Sequence, residues 1–138
     1  MGVLLDEAPT GDDVAIAPAS AIIEYIEEAY SSEPLLPSTS AGRAEARRLT
    51  AWFIHKFERE VSALTLRERI DKRLMRRGQP DYELLKAGAE ALAWHLDYAS
   101  WLLEQRYWLA GERMTIADLA MAGRSISRIK KIIFFALQ

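Results

Sequence analysis

Trp108–Leu119 reads WLAGERMTIADL and contains a complete signal for the start of a helix. Thr115 and Asp118 stand three residues apart, which is the spacing of a capping box. The Thr115 hydroxyl can accept the backbone N–H of Asp118, and the Asp118 carboxylate can accept the backbone N–H of Thr115. Met114 and Leu119 occupy the two ends of a hydrophobic staple around this cap. We therefore predict Thr115 as a structural N-cap, with Asp118 as its partner.

Composition places the chain among ordinary globular proteins. It has 138 residues, 50% of them hydrophobic and 28% charged, with a formal net charge of −2. So small a charge provides no long-range attraction to nucleic acid or to an anionic membrane, and neither partner is predicted. The chain has no cysteine, which excludes disulfides, thiolate metal sites and a cysteine nucleophile. No secretion signal or membrane-spanning run is recognised, so we predict a cytoplasmic protein.

The N-terminal part of the chain predicts a β-hairpin followed by a helix. Two short apolar runs, Val3–Asp6 and Val14–Ala17, are separated by the turn-forming residues of Glu7–Asp13. Pro18 ends the second run. In Ala19–Tyr30 the apolar residues recur at helical spacing and the glutamates lie on the opposite side.

The remainder predicts a helical bundle. Ser31–Ser40 contains two prolines and is interpreted as a linker, and a long helix follows over Ala41–Arg77. Gly78–Pro80 breaks that helix, and Asp81 is a plausible N-cap for a helix that ends at Gln105. Two apolar stripes on this last helix predict that it is covered on two sides, in the middle of the bundle. The stripes are Leu85, Ala89, Leu92, Leu96, Ala99 and Leu103, and Trp94, Tyr98 and Trp101.

Several separated motifs resemble glutathione S-transferases in the order in which that superfamily has them. Ile16–Ile26 (IAPASAIIEYI) is similar to the "I-x-E-S-x-A-I-x-x-Y-L" segment, and Trp108–Leu119 is similar to the "W-L-A-G-…-T-x-A-D" segment. The resemblance implies a mostly α fold. A glutathione S-transferase C-terminal-like helical bundle would follow a β-β-α remnant of a thioredoxin-like domain. The implied boundaries are 1–30 for the remnant, 31–40 for the linker, 41–120 for the helical domain and 121–138 for a divergent tail.

A narrower resemblance rests on Arg43–Phe53, Gly78–Asp81 and His95–Tyr98. These segments look like the bacterial, mainly alphaproteobacterial, branch of glutathione S-transferase-like proteins. That branch includes a binder of the tubulin-like division protein FtsZ. The resemblance therefore implies an FtsZ-like protein partner, and it is also compatible with a homodimer.

The same resemblance identifies the positions at which glutathione would bind, and their chemistry is altered here. The family's Glu-Ser pair, which holds the γ-glutamyl end of glutathione, falls on Pro18 and Ala19, and neither side chain forms hydrogen bonds. Val3 corresponds to the strand whose backbone pairs with the cysteinyl part, and the family's cis-proline would fall at Gly2. The β-α-β-α half that activates the thiol has no counterpart in the sequence. We therefore expect no catalytic residue and doubtful glutathione binding.

Other chemistry-bearing residues have a structural interpretation beside the functional one. In the family, the region of Trp52, Phe53, His55 and Phe57 borders the second-substrate pocket and the dimer contact, but helix–helix core packing explains Trp52 and Phe53 more simply. His55 and His95 are the only histidines and lack metal-site spacing, so no metal is predicted. The basic run Arg67–Arg77 is interpreted as cations that offset a helix C-terminus on a solvated face.

The resemblance stops after Ala120. The basic and apolar segment Ser127–Gln138 is interpreted as a tail that arose by truncation or frameshift, and a membrane-surface amphipathic helix is the alternative.

Two functions therefore remain open. One is a glutathione S-transferase family protein that has lost turnover in this chain. The other is a non-catalytic protein-binding module for a cell-division partner such as FtsZ.

Overall fold

The computed structural model describes residues 2–7, 13–30 and 32–123. These residues form a mostly helical fold with one two-stranded sheet, which confirms the predicted fold class. The chain divides into two compact units, Met1–Leu36 and Pro37–Gln138. The turn predicted between the strands (residues 8–12) and the tail from residue 124 onward lie outside the described residues.

The first unit contains the predicted hairpin and helix. Strand β1 (Leu4–Glu7) pairs antiparallel with β2 (Asp13–Ile16), and the register runs from Leu4 opposite Ile16 to Glu7 opposite Asp13. Strand β1 begins and ends one residue later than predicted, and β2 begins and ends one residue earlier. Both shifts arise because the ladder includes the pair of Glu7 and Asp13. Helix α1 (Ala19–Ala29) follows, and the Ala17–Pro18 peptide bond is cis.

The second unit begins with a long helical run over residues 40–74, called here the long helix. Its first part, α2 (Ser40–Ala51), is capped by Thr39, whose Oγ1 accepts the N–H of Gly42 at 3.1 Å. Short α-helical stretches α3 (Ala63–Leu66) and α4 (Lys72–Leu74) complete the run. Three π-helical segments, which nothing in the sequence pattern indicated, separate them: Trp52–Lys56, Glu58–Ser62 and Arg67–Asp71.

The long helix ends three residues before the predicted end at Arg77. The N–H of Arg77 donates to the carbonyl of Lys72 at 2.9 Å, and the N–H of Arg76 donates to the carbonyl of Arg73 at 3.3 Å. Arg76 has a φ of 50°, so it occupies the left-handed position of a Schellman motif. The helix is therefore closed before the breaker Gly78–Pro80, because this motif satisfies its last carbonyls.

Helix α5 (Tyr82–Leu103) starts at the predicted N-cap and ends two residues before the predicted end at Gln105. Asp81 Oδ1 accepts the N–H groups of Glu83 and Leu84 at 2.9 and 3.4 Å. A further helix is described over 116–123.

The core of the second unit is formed by the long helix, α5 and the segment around 109–121. Its buried members are Leu49, Phe53, Phe57, Val61, Ala99, Leu102, Leu109 and Ala117. The prediction that α5 is covered on two sides is wrong for the described part of the chain. Trp94 is 49% exposed and Trp101 53% exposed, whereas the buried core residues of α5, Ala99 and Leu102, lie outside the stripe of Trp94, Tyr98 and Trp101.

Candidate functional site

The predicted cap at Thr115 is present with one difference. Asp118 Oδ2 accepts the N–H of Thr115 at 2.8 Å, as expected for a capping box. The Thr115 hydroxyl, however, accepts the N–H of Ala117 at 3.3 Å, whereas the N–H of Asp118 donates to the Thr115 carbonyl. The hydroxyl also donates to Asp118 Oδ2 at 3.0 Å, which explains the difference because it draws the hydroxyl toward the carboxylate. The role of this pair is structural.

The positions assigned to glutathione lie at one end of the hairpin. Val3 precedes β1 and is 57% exposed, while Pro18 and Ala19 are exposed at the start of α1. Because Leu4 pairs with Ile16, the ladder brings Val3 and the Pro18 segment to the same end of the sheet. The Pro18 carbonyl already accepts N–H groups from the first turn of α1, and no side chain caps that helix. This end therefore provides exposed backbone but no side-chain donor at Pro18 or Ala19.

A phenol–carboxylate cluster that the sequence did not reveal lies in the same unit. Tyr25 Oη donates to Asp6 Oδ2 at 2.7 Å, and Tyr30 Oη donates to the same oxygen. The hydrogen bond to Asp6 raises the pKa of Tyr25 to about 12, and the two phenols hold the pKa of Asp6 below its usual value. A phenol whose proton is committed to a carboxylate is a poor donor for a thiolate, so Tyr25 has a structural role.

The most distinctive surface of the second unit is an aromatic ladder, called here the aromatic face. Trp52 stacks on Trp94, Trp94 on Tyr98 and Tyr98 on Trp101, with ring centroids 5.6, 6.1 and 6.1 Å apart. Three of these residues are spaced four and three apart on α5, which places them on one side of the helix. Lys56 Nζ lies 5.2 Å from the ring centroids of both Trp52 and Trp94, so a cation–π contact closes one end of the ladder.

A buried histidine fixes the inner edge of the aromatic face. Trp52 Nε1 donates to His95 Nδ1 at 3.2 Å, and His95 Nε2 lies 3.1 Å from Glu60 Oε2. Burial lowers the pKa of His95, against the opposing effect of Glu60. Because Nδ1 accepts from the indole, we assign the neutral tautomer in which Nε2–H donates to Glu60. His95 is thus a satisfied core residue, and His55, the other predicted candidate, is exposed.

A network of ion pairs and hydrogen bonds holds Tyr98 at the other edge of the aromatic face. Arg48 donates through both Nη atoms to Tyr98 Oη at 3.2 and 3.1 Å and forms two hydrogen bonds with Glu45. Arg106 bridges Glu45 and the carbonyl of Leu109, each at 2.9 Å. These cations lower the pKa of Glu45 to about 2. The ladder is therefore rigid on both edges while Trp94 and Trp101 stay half exposed.

The aromatic face presents partly exposed aromatic rings at the surface of the second unit. In the described segments there is no cluster of three histidine or carboxylate side chains able to hold a metal ion. No helix among the described residues is long and apolar enough to cross a bilayer. Phe53 and Phe57, which could have lined a second-substrate pocket, are buried in the core.

The class of protein is clear from comparison with solved structures. A glutathione S-transferase from Rhodospirillum rubrum superposes with a TM-score of 0.73 at 42% identity, over 86% of this chain and 52% of that one. A glutathione S-transferase from Sinorhizobium meliloti does so with a TM-score of 0.70 at 36% identity, over 84% of this chain and 57% of that one. The chain thus shares the glutathione S-transferase fold over about half of each of these structures, as its motifs predicted.

Within this class, the chain is similar to FtsZ-localized protein A of Caulobacter vibrioides. The two are 47% identical over 122 residues, which is 88% of this chain and 54% of the relative. The solved structure of FzlA from C. crescentus matches with a TM-score of 0.78, over 87% of this chain and 53% of that one. The chain therefore spans about half the length of the relatives it matches. No protein-family profile matches it.

Proposed function

We propose that this chain is a non-catalytic protein-binding module and that its partner is FtsZ. The observation that carries the proposal is the 47% identity to FtsZ-localized protein A, which extends across nearly the whole chain. Pro18 and Ala19 support it, since neither offers a side-chain hydrogen bond where the family's glutathione ligands would stand. A cytoplasmic location forms part of the same proposal.

The aromatic face is the binding surface in this proposal. Tryptophan and tyrosine are enriched among residues that dominate interface energies, because they bury much area at a low cost in conformational entropy. Trp94 and Trp101 are each about half exposed and held in a stack, so little ordering is left to occur on binding. The buried His95 and the Arg48–Glu45 pair provide the support beneath them.

Co-sedimentation with purified FtsZ polymers tests this proposal. We expect the chain to pellet with the polymers, and we expect the double variant Trp94→Ser/Trp101→Ser to lose binding at least tenfold, which is about 1.4 kcal/mol. The matched control is Leu74→Ser/Tyr82→Ser, which removes two exposed apolar side chains away from the aromatic face. Wild-type protein left in the supernatant would refute the proposed partner. Equal loss in both double variants would refute the proposed surface.

Glutathione-dependent turnover is the second candidate, favoured by the 42% identity to the Rhodospirillum rubrum glutathione S-transferase. Retention on glutathione-agarose and conjugation of chlorodinitrobenzene test it. Val3, Pro18 and Ala19 are the proposed glutathione positions, and we expect Pro18→Glu/Ala19→Ser to recover no turnover. Appreciable turnover by the wild-type chain would favour the enzyme. A homodimer stays a prediction, which analytical ultracentrifugation tests.

A further inference from the structure

Four cations, called here the stripe, gather at the end of the long helix. Arg69, Lys72 and Arg73 lie in its last turns, and Arg76 follows in the Schellman motif. They line a cavity of about 700 Å³, which is within the size range of small-molecule sites. The rest of the lining is Gly78, Gln79, Pro80 and Leu85, so it includes no acidic side chain.

Charge pairing within the stripe is incomplete. Lys72 pairs with Glu68 at 2.5 Å, whereas the guanidinium groups of Arg69 and Arg76 have no partner among the described residues. Like charges three and four residues apart destabilise a helix by a few tenths of a kcal/mol per pair. The stripe therefore costs stability in the unliganded protein.

The backbone conformation of Arg76 also lowers the stability of the folded chain. It occupies the left-handed C′ position of the Schellman motif, with a φ of 50°, where glycine is the usual residue. A side chain with a Cβ is disfavoured there, and glycine would close the helix without that penalty. Arginine at this position instead adds a fourth cation to the lining of the cavity.

The chemistry of the cavity indicates the class of its ligand. Arginine presents several N–H donors in a planar fork that matches phosphate oxygens, and lysine adds a point charge. The negative end of the helix dipole is weakened here, since the Schellman hydrogen bonds occupy the carbonyls of Lys72 and Arg73. Glu68 pairs with Lys72, and the guanidinium groups of Arg69 and Arg76 stay available for a ligand. Leu85 and Pro80 form an apolar wall beside the charges, suited to the carbon skeleton of a phosphate ester.

We propose that this cavity is a phosphate site that binds a small phosphorylated molecule between the end of the long helix and the start of α5. The site lies apart from the aromatic face in sequence and does not depend on the proposed binding of FtsZ. Arg69 and Arg76 are the principal ligands, because their guanidinium groups are the ones left without a partner in the described structure.

Calorimetric titration of the full chain with pyrophosphate at low ionic strength tests the proposal. We expect saturable binding that the double variant Arg69→Gln/Arg76→Gln weakens by about tenfold or more. The matched control Arg67→Gln/Arg77→Gln removes the same charge from the same stretch without touching the cavity lining, and we expect a change of about twofold or less. Thermal unfolding checks that Arg69→Gln/Arg76→Gln is folded. We expect its Tm to be unchanged or raised, because like charges are removed.

Four outcomes would overturn the proposal or one of its assignments. No saturable binding by the wild type, or equal weakening in both double variants, would overturn the proposal, since the second result indicates only the general field of the chain. Co-sedimentation with phosphatidylcholine vesicles, with and without phosphatidylglycerol, separates a lipid headgroup from a soluble phosphate. Vesicle binding without pyrophosphate binding would overturn the assignment to a small soluble ligand. A polyglutamate peptide that binds more tightly than pyrophosphate would overturn the assignment to phosphate.

Discussion

The carboxylate of Asp118 accepts the backbone N–H of Leu109 at 2.9 Å, across nine residues of chain. The same carboxylate accepts the N–H and the hydroxyl of Thr115 through its other oxygen. Leu109 is almost fully buried, so its N–H has little access to water and depends on this acceptor. Asp118 therefore ties the turn at Trp108–Gly111 to the start of the following helix.

Asp118→Ala is expected to reduce the free energy of unfolding by about 2–3 kcal/mol, because it removes a cap and leaves the Leu109 N–H unpaired. Urea unfolding followed by circular dichroism measures the change. Glu112→Ala is the matched control, since it removes an exposed carboxylate from the same stretch. A loss no greater than that of the control would mean that Asp118 does not hold the two segments together.

Arg76→Gly is expected to stabilise the chain by about 1 kcal/mol, because glycine adopts the left-handed conformation of Arg76 without a steric penalty. The matched control is Arg77→Gly, which makes the same replacement at a neighbouring residue outside the left-handed region. We expect this control to leave the stability unchanged or to lower it. Thermal unfolding compares the two. A lower Tm for Arg76→Gly than for Arg77→Gly would contradict the description of this helix end.

Gly88→Ala is expected to destabilise the chain by about 1–3 kcal/mol even though alanine favours helix. A Cβ at this position would lie 2.7 Å from Thr65 Cγ2. Thr65 cannot easily turn away, since its hydroxyl donates to the Val61 carbonyl at 2.7 Å and its χ1 is restricted.

The double-mutant cycle with Thr65→Ser tests this reason. In the serine background the clashing methyl is absent, so Gly88→Ala should become stabilising by about 1 kcal/mol from helix propensity alone. The same penalty in both backgrounds would show that α5 and α3 do not approach each other at this point.

Stability is expected to fall as the pH drops below about 6.5, in part through His95. Burial lowers the pKa of His95 in the folded state, so over this range the unfolded chain binds more protons and the free energy of unfolding rises with pH. The carboxylate of Glu60 faces the ring and Lys56 lies beyond it. The pKa of Glu60 is also lowered, mainly by Lys56, and its own contribution is lost only at more acidic pH.

Urea unfolding between about pH 7.5 and pH 5 measures this dependence. His95→Asn removes the titrating ring, and we expect a shallower loss of stability near pH 6 than in the wild type. His55→Asn is the matched control, because His55 is exposed. Parallel pH profiles for wild type and His95→Asn would rule out a contribution from the buried ring.

Local signals in the sequence predicted much of the fold. Asp81 and the Thr115–Asp118 pair mark helix starts through hydrogen bonds that span only a few residues, and these starts are where they were expected. The hairpin and α1 were also predictable, since alternation and helical spacing are properties of short windows. The motifs that identified the class of fold are likewise short segments of sequence.

The site was less predictable, because its contacts join residues far apart in sequence. The stack of Trp52 on Trp94, and the Tyr25–Asp6 hydrogen bond, depend on how elements pack, which no local pattern records. The apolar stripe of Trp94 and Trp101 suggested a covered helix face, yet periodicity does not distinguish a buried apolar face from an exposed one.

The amino-acid sequence by itself determined which segments become strands and helices, because caps, turns and hydrophobic periodicity act over a few residues. Tertiary structure alone decided that the aromatic face stays exposed, that Asp118 reaches Leu109, and that four cations converge on one cavity. The physical reason is that all three features depend on distances between residues far apart in sequence. Tertiary packing sets those distances.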